Sequence, residues 1–396
     1  MKKLIIIFAA FVFQGSIAQQ KPKIEFPDFY LEQALRNILD IPTRDITKKD
    51  LEDITRLVVY AKNVSNLKGL EYAVNLTSIN LGNNKISDLS PLSGLVKLES
   101  LSINGNQISD VSPLSKLVNL KNLAMDRNQI ADISALNKLT KLKGVTFNFN
   151  QIQKIDVIEN WNRLTHFNMG FNQLDDLTPF KKLDSLFGIW IPENKVADIS
   201  VLYHLKDLEV LILEKNPVKS IKGIESLNKL VQLNLSAIEA SSFTSLSSLS
   251  NVGVLCIADN EIVNIDFLKG MKSVEWLDLR SNSIEKITAL EKLTKMEKLF
   301  LDGNKIEKIN AISKMEDLYW IMLSDNQIEN FNPLLNLPQL NEIMLANAGA
   351  KRVNSQIIDK LKDKGVSVNE KAIEINSVYQ TAPDWQSRYY SEKDDA

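Results

Sequence analysis

LTSINLGNNKISDLSPLSGLVK, residues 76–97, is the unit from which most of this 396-residue chain is built. Its apolar side chains fall at Leu76, Ile79, Leu81, Ile86, Leu89, Leu92 and Leu95, with Asn84 set among them. A step of 22 residues returns the pattern at Leu98, Leu101, Ile103, Asn106, Ile108, Val111, Leu114 and Leu117. The same step lands on Leu120, Leu142, Leu164, Leu186, Leu208, Leu230, Val252, Val274, Met296, Leu318 and Leu340 without an insertion or deletion. A period in this range with L-x-x-L-x-L-x-x-N spacing is the signature of a leucine-rich-repeat solenoid.

The chemistry of one unit explains its letters. The L-x-L alternation reads as a short strand with one buried face, and such strands from successive coils pair in parallel about 4.8 Å apart. The Asn that follows has an amide able to bond backbone groups where the chain turns. I-S-D-L-S-P-L then carries the chain back, with Ser or Asp capping a short helical turn. Pro91, Pro113, Pro179 and Pro333 share its first positions. No unit can bury its leucines alone, so the coils must stack. The expected fold is an α/β solenoid: a curved, right-handed superhelix of about 13 coils over 54–348. Its parallel sheet lines the concave side and short 3-10 or helical turns the convex side. A helical amino-terminal cap over 24–53 and a carboxy-terminal cap over 349–378 are expected to close the ends.

The caps have their own signals. Asp28 is placed to cap a helix whose Leu31, Ala34, Leu35 and Ile38 share a face. A second helix start follows at Thr47, with Asp50 completing a variant capping box and Ile46 and Leu51 set as a hydrophobic staple. At the other end, Ile357, Ile358 and Leu361 fit a last amphipathic helix stopped by Gly365, with Val366 and Val368 for a closing strand. Residues 379–396 have no apolar period and are expected to be a mobile tail. Before the caps, residues 1–18 read as a secretory signal peptide: two lysines, the apolar run Leu4–Phe13 and a small-x-small end at Ser16 and Ala18. No second hydrophobic span follows, and Cys256 is the only cysteine, so no disulfide framework is expected. Export as a soluble, secreted protein, extracellular or periplasmic, is the expectation. The 47 Lys and Arg against 49 Asp and Glu leave a net charge of −2, which favours neither nucleic acid nor an anionic membrane.

The run ITKKDLEDITRLVVYAKNVSNLKGLEYAVNLTSINLGNNKISDLSPL resembles the internalin-type leucine-rich repeats of bacterial surface and secreted proteins, helical cap included. The resemblance spans roughly residues 26–348. It implies a solenoid that binds another macromolecule on its concave strand face, and it does not name the ligand. The chain departs from many such proteins in having no LPxTG-like sorting signal, hydrophobic tail or room for an immunoglobulin-like domain after the repeats. Wall attachment of that kind is not expected.

An asparagine ladder is expected at Asn84, Asn106, Asn128, Asn150, Asn172, Asn194 and Asn216, resuming at Asn260, Asn282, Asn304 and Asn326. Ile238 breaks it, in a Ser-rich unit that lacks the usual I-x-D-I turn. This is either drift at a tolerant position or a soft point where neighbouring backbone groups lose their partner.

Catalytic signals are scarce. With His166, His204 and Cys256 the only residues of their kinds, Cys–His and metal clusters lack material, and no cofactor or metal is expected. Asp88, Asp110, Asp132, Asp176 and Asp198 recur once per coil, but at the turn toward the convex side, where capping explains them better than a calcium ladder. No enzyme is expected, so function must lie on the outward strand positions.

Those positions are small or polar in the early coils: Ser78, Asn80, Ser100, Ser102, Asn122 and Ala124. From His166 onward they change. Trp190, Val210 and Ile212 follow, with Phe149 and Phe171 one coil apart just beyond the strand. A second group is Trp276, Phe300, Trp320 and Met322, with Lys298 between the two tryptophans and Arg280 nearby. Clustered exposed aromatics mark binding sites, and Trp and Arg dominate interface hot spots. The ligand-binding set is therefore His166, Trp190, Ile212, Trp276, Arg280, Lys298, Phe300, Trp320 and Met322. The leading partner is a protein on a cell surface or an exported protein. The alternative is a carbohydrate-binding module, with Trp190, Trp276 and Trp320 as stacking platforms for a polysaccharide and Asn168, Asp278 and Asp302 beside them. A third reading is a structural coat protein with no ligand.

Overall fold

The computed structural model describes residues 24–349 and 355–370. The expected signal segment 1–18 and tail 379–396 lie outside the described residues. Strands β1 (Arg56–Val58) to β14 (Glu342–Met344) recur at the 22-residue step, and β15 (Ser367–Asn369) follows them in one parallel sheet ordered β1 to β15. The register is unshifted from coil to coil: Leu57 faces Ile79, Ile79 faces Leu101, and Leu277 faces Leu299. Every coil thus lays its central strand residue over the previous one, and the leucines form one continuous buried column. The return path of each coil is a 3-10 turn, such as Ser90–Leu92 and Ser112–Lys116 with Pro91 and Pro113 in the first turn. Trp161 takes a leucine slot in this core, and its Nε1 donates to Leu136 O at 3.3 Å. The architecture is the curved solenoid that the period predicts.

The ladder asparagines tie coil to coil. Asn84 Nδ2 donates to Val59 O in the coil before (2.7 Å) and Leu81 O in its own (2.9 Å). Its Oδ1 accepts from the backbone N–H of Lys62 and Val64, each at 3.0 Å. At the far end Asn326 repeats this, donating to Leu301 O and Leu323 O at 3.0 Å and accepting from Ile306 N at 3.1 Å. The residue before each ladder position is left-handed in every coil from Asn83 to Asp325, with φ between 51° and 65°. That turn aims the Asn amide inward, where an unbonded side-chain amide would be costly.

Two turn readings resolve. Asp88, Asp110, Asp132 and Asp198 each accept a backbone N–H from the residue two positions on at 2.8 Å, so these carboxylates cap turns. At Ile238 the backbone partners are rerouted rather than lost. The Ile238 N–H donates to Asn260 Oδ1 at 3.0 Å, and the Val218 N–H, which a ladder Asn would have met, donates to Asn216 O at 2.8 Å.

At the amino end, α1 (Phe29–Leu39) starts on Asp28, which accepts the Leu31 N–H at 3.0 Å. Its other oxygen accepts from Ser65 N (2.7 Å) and Asn66 N (3.1 Å), fastening the helix to the solenoid. Burial alone would raise the Asp28 pKa; these donors outweigh it and hold it below the ordinary value. Leu31 and Leu35 are buried, whereas Ile38, expected on the same face, is exposed. The next helix, α2 (Lys48–Glu52), has the full Thr47–Asp50 capping box, with Ile46 and Leu51 buried across it. At the carboxy end α3 (Ser355–Asp363) precedes β15.

Candidate recognition surface

The outward residues of the strands form columns, because the register is unshifted. In the early coils Ser78, Ser100 and Asn122 line one column, each adjacent to the next and partly or fully exposed. At β7 (Gly188–Trp190) the character changes. The Trp190 ring folds back over Gly188, where a Cβ would lie 2.1 Å from the ring, so glycine is what makes room for it. The His166 ring stacks beside it, 6.1 Å between centroids at 13°. Trp190 also packs on Val210 and Ile212 of β8 (Val210–Ile212).

The second group occupies β11 (Trp276–Asp278), β12 (Lys298–Phe300) and β13 (Trp320–Met322). Phe300 meets Trp276 edge-to-face at 6.0 Å and Trp320 at 4.9 Å. Met322 and Met344 complete the cluster. Lys298 Nζ lies 4.3 Å from the centroid of Trp276 and 5.7 Å from those of Trp320 and Tyr319, a cation held among three rings. Arg280 donates to both oxygens of Asp278, at 2.9 and 2.7 Å, and its guanidinium stands 5.7 Å from the Phe300 ring.

Structure therefore brings the expected residues together in two clusters on the strand face opposite the leucine core, but corrects their exposure. Trp190 (5% exposed), Trp276 (8%), Phe300 (1%), Met322 (3%) and Ile212 (0%) are buried, not solvent-facing platforms. The cause is spacing: side chains in one column stand a strand apart, about 4.8 Å, so large neighbours cover one another. Their alternation specifies the face, not the depth. His166, Arg280, Lys298 and Trp320 keep part of their surface open and form the accessible layer over the buried one.

Polar groups in this second layer are unevenly matched. Asp302 Oδ1 accepts from the Ser324 N–H at 2.9 Å, while Oδ2 has no hydrogen-bond partner among the described residues. Burial pushes its pKa up to about 6. Burial also raises Glu214, whose Oε2 accepts from Asn234 at 3.3 Å. The indole N–H groups of Trp276 and Trp320 are likewise buried without a partner among the described residues. Such groups typically cost about 1–3 kcal/mol each.

One feature was only half visible from sequence. Phe149 and Phe171 stack face to face, 4.0 Å apart at 12°, and the Arg127 guanidinium lies 4.2 Å over Phe149. All three sit at left-handed turn positions one coil apart, and both rings are exposed. The 22-residue step from Phe149 back to Arg127 was the signal that could have found the third member.

The family profile for Leucine Rich repeats (2 copies) matches residues 74–116, 96–138 and 272–314. No curated protein matches the chain. Among solved structures, an internalin of Listeria monocytogenes (InlF) is 30% identical, with a TM-score of 0.75 over 80% of this chain and 95% of its own. The chain belongs to the internalin-like leucine-rich-repeat proteins. Two more distant likenesses concern the fold. A leucine-rich-repeat protein of Leptospira interrogans is 20% identical, with a TM-score of 0.70 over 81% of this chain and 97% of its own. A plant peptide hormone receptor, RGFR1, solved in complex with RGF2, is 21% identical, with a TM-score of 0.57 over 70% of this chain and 57% of its own. Among the described residues of this internalin-like chain, no helix is long and apolar enough to cross a membrane.

Proposed function

We propose that this internalin-like protein is an exported, non-catalytic binding module that takes a protein partner on its concave sheet, centred on Lys298, Trp320 and Arg280. The observation that carries the reading is the layered build of the second cluster. Partly open cationic and aromatic side chains stand on a buried bed of Trp276, Phe300, Met322 and Met344. Protein hot spots have this make-up, with Trp and Arg anchored in a packed, largely desolvated patch. The bed holds the anchors in place, so a partner does not have to order them on binding. Sugar stacking is supported less, because it needs open ring faces. Trp276 as a residue is only 8% exposed, and an ammonium lies over its ring. Export rests on the character of residues 1–18.

The experiment is capture on immobilised protein, from a cell-surface protein fraction and from a polysaccharide array in parallel. Wild type is expected to retain a protein that Lys298→Glu retains at least tenfold less well, with the polysaccharides passing through. Retention of a polysaccharide, with no protein sensitive to Lys298→Glu, would transfer the site to the carbohydrate reading.

A further inference from the structure

We propose that the flank of the solenoid at the interrupted coil is a second binding site, for a basic segment of a partner protein that buries one apolar side chain there. It lies on the turns beyond the ladder, away from the concave columns. In other coils the slot two residues after the ladder position holds a larger aliphatic, wholly buried at Ile86, Ile108, Ile130, Val218 and Ile284. In the interrupted coil that slot is Ala240. Larger side chains stand around it instead: Ile238 in the ladder slot, Phe243 where most coils carry Leu, Ile or Val, and Phe267, stacked 6.3 Å from Phe243, where most carry Pro, Ala or Val. Ile238, Phe243, Ile262 and Phe267 surface in a groove of about 840 Å³, each more exposed than the fully buried leucines and isoleucines of neighbouring coils. Val263, 62% exposed, adds an apolar lip where Ser87 and Ser109 stand in earlier coils.

Charge selects the occupant. Glu239, Asp259, Glu261 and Asp266 rim the groove, and no Lys or Arg lines it. Glu239 is bonded to Lys219 and Asp266 to Lys269, while Asp259 and Glu261 form no salt bridge among the described residues. The two carboxylates without a salt bridge, Asp259 and Glu261, are left facing a lining that holds no Lys or Arg. On the same flank at Ala131 and Gln153, a groove of about 390 Å³ includes Lys154 and lacks both the aromatic floor and the all-acidic rim. The larger groove is partly open to solvent and its lining runs over two successive coils, 238–244 and 259–267, so it suits a segment of chain rather than an enclosed small molecule. An apolar anchor flanked by Lys or Arg meets both the floor and the rim.

The test is selection of a random 12-residue peptide phage library on the full protein, followed by fluorescence anisotropy with the enriched peptides. Enriched sequences are expected to pair an apolar residue with Lys or Arg and to bind more weakly as salt is raised. Ala240→Ile, which restores the side chain of other coils, and Glu261→Lys should each weaken them at least tenfold. Trp320→Ala, on the concave face, should leave them unchanged, which separates this site from the concave one. If Ala240→Ile fails to fold, Val263→Asp at the exposed lip serves in its place. Peptides that bind the filled or reversed-charge variants as tightly as wild type, peptides without basic residues, or no enriched peptide at all would each overturn the proposal.

Discussion

At the scale of single residues, the chain spends its polar side chains in two ways. The ladder asparagines are fully bonded: Asn304 donates to Leu279 O at 3.0 Å and Leu301 O at 2.9 Å and accepts from Ile284 N at 3.0 Å. Asn304→Ala leaves those backbone groups buried without partners, and urea unfolding should register a loss of about 3 kcal/mol. Asp302 is the opposite case, a carboxylate that the fold leaves half bonded. Its folded pKa of about 6 lies above the ordinary 3.8, so the folded chain binds that proton more tightly than the unfolded one. The group therefore costs nothing below pH 3.8, and its penalty grows as pH rises toward 6 and levels off above. Asp302→Asn keeps the acceptor for Ser324 and removes the charge. It should raise the melting temperature at pH 7.5 by the equivalent of at most about 3 kcal/mol and change little at pH 4. An equal effect at both pH values would show that Asp302 is not held by burial.

At the scale of the coil, stability in a stacked array is the sum of local and nearest-neighbour terms, so a weak coil is felt where it sits. The interrupted coil keeps its backbone bonds through Asn260 and Asn216, which removes the unpaired groups that the sequence alone suggested. Its packing differs instead: Ala240 replaces the usual Ile or Val, and Ile238, Phe243 and Phe267 line a groove rather than a fully closed core. Hydrogen exchange by mass spectrometry should therefore find residues 236–250 opening faster than 208–220. Equal protection in both would mean that the altered packing is immaterial. The coil is also where legibility ends. A single unit, 76–97, predicts strand, ladder and turn for its neighbours because one register repeats, and Asp28 and Thr47 announce their helices through capping chemistry. Depth is another matter. Trp276 and Phe300 occupy outward slots, and only the stacking of side chains from adjacent strands decides that they are buried while Lys298 and Trp320 stay partly open.

At the scale of the molecule, the solenoid carries a polar early stretch, from Ser78 to Ala124, and an aromatic later one on the same face. The proposed recognition site is the later stretch, with the proposed site at the interrupted coil independent of it on the flank. The most direct measurement is hydrogen exchange on the protein free and saturated with the partner recovered by capture. Binding is expected to slow exchange at 276–280, 298–302 and 320–324, and to leave 78–82 and 100–104 as they were. Protection confined to the convex turns, such as 90–92 and 112–116, with no change across those three strands, would contradict it.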